Sequence, residues 1–132
     1  MRLRLLPALA AAWLCGCGGP DRPPMAPVTG TVTMHGAPVP GAVVQFHREG
    51  DAAARPGAGR TDDTGRYRIT TFDPGDGGLL GRHRVTVSKA LNPMAEVPDD
   101  VFPAAVTDPE TTTLSAEVTE DGENVFNFTF PM

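Results

Sequence analysis

Two hydrophobic patterns divide the chain. The first is one apolar run over residues 5–14, behind Arg2 and Arg4; it is too short to span a bilayer, which takes about 20 apolar residues. The second begins at Val28 and has a period of two. Over residues 28–34, Val28, Val32 and Met34 fall on one face and three threonines on the other, as a half-buried strand requires. The His35-Gly36-Ala37-Pro38 segment predicts a turn. Residues 42–47 alternate again with Ala42, Val44 and Phe46 inward, so the two strands are expected to form a hairpin-like pair. A Gly/Ala/Arg loop is expected over 48–60, then a Gly65 turn and a third strand with Tyr67 and Ile69 inward and Arg66 and Arg68 outward. After a turn cluster at 73–78, residues 82–89 place Val85 and Val87 inward. A Pro-rich connection follows over 91–109, and strands at 114–119 and 124–130 close the chain.

No window carries apolar residues at three- and four-residue spacing over three turns, and 14 prolines are spread along the chain. Helix is therefore minor. Six or seven short strands, each with one apolar face, predict an all-β antiparallel sandwich. Phe126, Phe128 and Phe130 share one face of the last strand and read as core, because an exposed row of three rings would aggregate.

The first apolar run acquires a meaning from the residues directly after it. Leu14-Cys15-Gly16-Cys17 has the form of a lipobox, with a small residue directly before Cys17, so residues 1–16 read as a cleaved lipoprotein signal and Cys17 as the lipidated residue. Cys15 is a poorer candidate, since bulky Leu14 precedes it. Residues 17–27, rich in Gly and Pro, read as a tether, and residues 28–132 as one domain. The expected address is an extracytoplasmic membrane, held through the lipid. Gly18 in place of Asp after the lipidated cysteine resembles the outer-membrane lipoproteins of enterobacteria.

Composition narrows the partners. The chain carries 11 basic and 16 acidic residues, a net charge of −5 that becomes −7 once Arg2 and Arg4 are removed. Its basic residues are scattered as singles, without a stripe or a stacking row, so nucleic acid is not an expected partner. Both cysteines lie at the processing site, which leaves no thiol for a disulfide or a nucleophile.

Candidate chemistry is sparse. Ser88 and Ser115 lie on predicted strands outside any Gly-x-Ser-x-Gly. His35, His47 and His83 are far apart in sequence, have no ligand spacing, and read as surface histidines. Asp62, Asp63, Asp73 and Asp76 gather hard oxygen ligands on two turns, as Ca²⁺ prefers, but the Asp-x-Asp-x-Asp-Gly spacing is missing. Turn closure by Asp62 is the expectation, with no metal or other cofactor beyond the lipid. Phe72 and Phe102 are the aromatic residues outside strands that could meet a ligand. The Asn127-Phe128-Thr129 sequon falls in a predicted strand and carries no expected role.

The run 28–46 together with Thr61-Asp62-Asp63-Thr64-Gly65-Arg66-Tyr67-Arg68-Ile69 resembles the carboxypeptidase regulatory-like, or transthyretin-like, domain. The tail, with Leu114-Ser115-Ala116-Glu117-Val118 and 123–128, is similar to small planctomycete lipoproteins made of a signal, a tether and this one domain. The resemblance implies a seven-stranded Greek-key sandwich and leaves function open, since its motifs encode turns and strands. Two enzyme families of the broad fold do not fit. Hydroxyisourate hydrolases end in Tyr-Arg-Gly-Ser where this chain ends Phe130-Pro131-Met132, and intradiol dioxygenases bind iron with two tyrosines where this chain has only Tyr67. The expectation is a non-enzymatic, lipid-anchored envelope module with a structural or protein-interaction role. The alternative is a carbohydrate- or peptide-binding lipoprotein serving a neighbouring transporter or hydrolase.

Overall fold

The computed structural model describes residues 23–51, 53–92, 94, 96 and 99–131. The signal, Cys17 and most of the tether lie outside the described residues. In chain order the elements are β1 (Met25–Ala26), β2 (Thr29–Met34), β3 (Ala37–Pro38), β4 (Val43–Arg48), β5 (Gly57–Arg60), β6 (Arg66–Arg68), β7 (Gly78–Leu79), β8 (Gly81–Ser88), α1 (Ala104–Thr107), β9 (Ser115–Val118) and β10 (Phe128–Phe130). One sheet has the order β5-β4-β8-β9. A second has β10-β2-β3, with β6 also on β2, and β1 with β7 makes a separate pair. The described residues are all-β apart from one helical turn.

Alternation places the core. Val28, Val32, Tyr67, Ile69, Phe128 and Phe130 from the second sheet meet Val44, Phe46, Val85, Val87, Ala116 and Val118 from the first in one buried cluster. Contact between the layers is made by rings, with Phe46 5.8 Å from Phe126 between centroids. Phe126 is half-buried against this cluster, and Phe102 from the Pro-rich connection closes it by packing 4.8 Å from Phe130. Burial of such rings dominates the stability of a core of this size.

Four expectations are corrected. The hairpin between 28–34 and 42–47 does not form. β2 folds back on β3 through His35 and Gly36, both at positive φ (52° and 76°), in the two-residue turn whose twist suits paired strands. The chain turns again at Gly41, whose N–H donates to the Thr61 carbonyl, and β4 thereby enters the other sheet between β5 and β8. The stretch 48–60 is not loop throughout, since Gly57–Arg60 pairs with β4 from Phe46↔Gly57 to Val43↔Arg60. Residues 25–26 are not free tether, because Met25 and Ala26 pair with Leu79 and Gly78.

The fourth correction concerns direction. β10 runs parallel to β2, Phe128 opposite Val32 and Phe130 opposite Met34, whereas the other strand pairs among the described residues are antiparallel. The cause is the connection. β9 ends in the first sheet and the chain crosses to the second before β10, so no hairpin forces reversal.

Candidate functional site

An open groove of about 600 Å³ lies on the outward side of β2 and β6. Register builds it. Thr29 pairs with Arg68 and Thr31 with Arg66, so on the face opposite buried Tyr67 each threonine stands beside an arginine. Ala58 bridges Thr70, and the Asp62 N–H donates to the Arg66 carbonyl, at 2.9 Å. Continued through the residues between, that register sets Arg60 opposite Arg68. Gly59 makes this approach possible, since a Cβ there would collide with the Arg68 backbone.

The other wall is a bulge in the last segment. Thr29 bridges Val125, but the Thr31 N–H donates to the Asn127 side-chain oxygen, at 3.0 Å, in place of a backbone carbonyl. The Thr31 hydroxyl donates to the same oxygen. The Phe126 carbonyl is left to accept from the Tyr67 hydroxyl, at 2.5 Å. Gly30 lies over this bond and must lack a side chain, because a Cβ would strike the Phe126 carbonyl and the Tyr67 oxygen. Burial pushes the Tyr67 phenol up, so it remains a donor.

Charge in the groove runs against the charge of the chain. Arg60, Arg66 and Arg68 line it with one carboxylate, Asp62, in a protein of net charge −5. None of the three arginines has an ion pair among the described residues, where the pairs formed are those of Glu49 with Arg82 and Arg84, at 3.7 and 3.6 Å. Asp62 turns one oxygen to the turn it closes. Its Oδ1 accepts from the Thr64 hydroxyl at 2.6 Å, the Thr64 N–H at 2.8 Å and the Arg66 N–H at 3.1 Å. The Thr64 hydroxyl and these two amides, with the nearby Arg66 charge, hold its carboxyl below the usual range.

The four aspartates stand in two separate turns. Asp62 closes the first, with Gly65 at φ 78° and its N–H on the Asp62 carbonyl, and Asp63 lies exposed beside it. Asp76 closes the second, accepting from the N–H groups of Thr71, Phe72 and Asp73. No group of three His, Cys, Asp or Glu side chains placed to hold a metal occurs among the described residues.

Two other side chains depart from expectation. His83 is 2% exposed, not a surface histidine. It shares the inward face of β8 with Val85 and Val87, a period the sequence displays, and packs 5.7 Å from Phe46. Its Nε2 lies 2.7 Å from the Leu79 carbonyl, which makes that nitrogen the donor, while its buried Nδ1 has no hydrogen-bond partner among the described residues. Phe102 is 3% exposed and so belongs to the core, leaving Phe72 half-buried with the Arg55 guanidinium 6.0 Å over its ring.

The groove arginines are what sequence reading missed. Arg66 and Arg68 were legible as outward residues, but scattered singles become a cluster only when the register of three strands is known. No family model matches the chain, and no curated protein or solved structure matches it.

Proposed function

We propose that the chain is a lipid-anchored, non-catalytic module of the cell envelope, with a structural or protein-interaction role, and that its sheets form the seven-stranded Greek-key sandwich of the transthyretin-like class. Its attachment point is the thioether-linked lipid on Cys17, and no cofactor takes part. The observation that supports it is the closeness of address and body. Pairing begins at Met25, eight residues after Cys17. An extended segment of that length reaches roughly 25 Å at about 3.1 Å per residue, so the domain would stand close over the headgroups. Several acyl chains would hold it stably where one gives only marginal binding.

Cys17→Ala tests the anchor. Metabolic labelling with a fatty acid is expected to mark the parent chain and not the variant, and the variant is expected to leave the membrane fraction. Label retained by the variant would remove Cys17 from its role. A second reading, a carbohydrate- or peptide-binding lipoprotein that serves a neighbouring transporter or hydrolase, is favoured by one observation, the groove arginines that form no ion pair among the described residues.

A further inference from the structure

We infer that the groove over β2 and β6 binds an acidic saccharide, with Arg60, Arg66 and Arg68 meeting its carboxylates and Thr29, Thr31 and Asn127 meeting its hydroxyls; the inference rests on the second reading above. Like charges directly opposite on neighbouring strands repel. Arg60 and Arg68 are so placed, and Arg66 stands two residues along β6 on the same face, about 7 Å away by strand rise. The one carboxylate in the groove, Asp62, has its Oδ1 taken by Thr64 and the Arg66 N–H, and its single charge near Arg66 stands against three guanidinium groups. An anion from outside is thus the group that would relieve the repulsion. A guanidinium presents its donors in a fork that fits a carboxylate with two parallel hydrogen bonds.

The rest of the lining selects among anions. Thr29 and Thr31 present hydroxyls outward, and the amide nitrogen of Asn127 is available as a donor because its oxygen takes both Thr31 bonds. Alternating donors and acceptors match a polyhydroxylated ligand. A peptide extending the sheet is disfavoured, since β2 and β6 are already paired on this face and offer no open edge. A neutral sugar is disfavoured as well. It draws on exposed rings for stacking, and Tyr67 is buried, with only Val125, 52% exposed, as apolar surface. The openness of the groove suits a chain passing along it better than an enclosed monomer.

The test uses the full chain in non-ionic detergent and titrates polygalacturonate, trigalacturonate, neutral dextran and poly-glutamate. Polygalacturonate is expected to bind saturably and to weaken as salt is raised. Arg66→Gln with Arg68→Gln, and separately Arg60→Gln, are expected to weaken it roughly tenfold or more, while Arg82→Gln with Arg84→Gln removes charge elsewhere and leaves it unchanged. Thermal melts of each variant, all at exposed positions, establish that they remain folded. Trigalacturonate binding of similar strength would identify a short free oligosaccharide as the source, and much weaker binding an envelope polysaccharide; either supports the acidic-sugar assignment. Poly-glutamate or dextran binding at least as tightly, with the same arginine dependence, overturns the acidic sugar and leaves the ligand-binding groove standing. No binding of any probe, or binding indifferent to all three arginines, overturns both.

Discussion

His83 shows how one residue ties stability to acidity. Burial pushes its pKa below 6.5, and the Arg48 charge adds to this, against opposing pulls from the Leu79 and Phe46 carbonyls and from Glu49. His47 is lowered too, by burial and by His83. A group whose folded pKa lies below its unfolded one favours the unfolded chain as it takes up a proton. The stability at stake is therefore complete above about pH 6.5 and declines as pH falls below that value toward the folded pKa. Urea midpoints are expected to drop between pH 7.5 and pH 5, and the drop to shrink in His83→Leu. A midpoint slope over that range identical in parent and variant would count against the assignment. Neutral His83 also leaves Nδ1 buried without a hydrogen-bond partner among the described residues, a loss of about 1–3 kcal/mol for such a group. The Leu79 bond and the Phe46 contact offset part of it.

At the scale of elements, the turn at 62–65 is the clearest case of local chemistry setting structure. The Asp62 oxygen gathers Thr64 and Arg66, and Gly65 supplies the positive φ that an L side chain resists. Asp62→Ala is expected to lower the melting temperature and Asp62→Asn to be tolerated, because Asn keeps the acceptor. EDTA or millimolar Ca²⁺ is expected to leave the parent melt unchanged. A calcium-dependent rise that Asp62→Asn abolishes would show a metal site instead. Such elements were legible because side chains announce them: Tyr67 and Ile69 inward, Arg66 and Arg68 outward. β5 was not, since Gly57, Ala58 and Gly59 carry almost no side-chain pattern and form a strand through pairing with β4, while the bare glycines leave room for Ile69, Thr71 and the Arg68 backbone. The bulge at Phe126 and Asn127 was illegible for a related reason. It answers to Tyr67, 59 residues earlier in the chain, and to Gly30, and no local window contains that cause.

For the whole molecule, the main surprise was connectivity. The sequence displayed which faces are buried but not which strands are neighbours, because alternation is the same whether β2 pairs with β4 or with β10. The observed pairing makes the last segment indispensable. Removing residues 124–132 takes Phe126, Phe128 and Phe130 from the core and strips β2 of its partner on one edge. A chain ending at Glu123 is expected to show no cooperative thermal transition. A sharp melt near that of the parent would show that the two sheets close without β10.

The parallel seat of β10 beside β2 also has a consequence in time. Its contacts join residues 96 apart, as between Thr31 and Asn127, and such distant pairings form late and slowly. The sheet around β2 therefore cannot close during synthesis until residues 128–130 have been made. Until then the edge of β2 that Phe128, Thr129 and Phe130 will occupy is an unpaired strand edge, the feature through which incomplete β domains join one another.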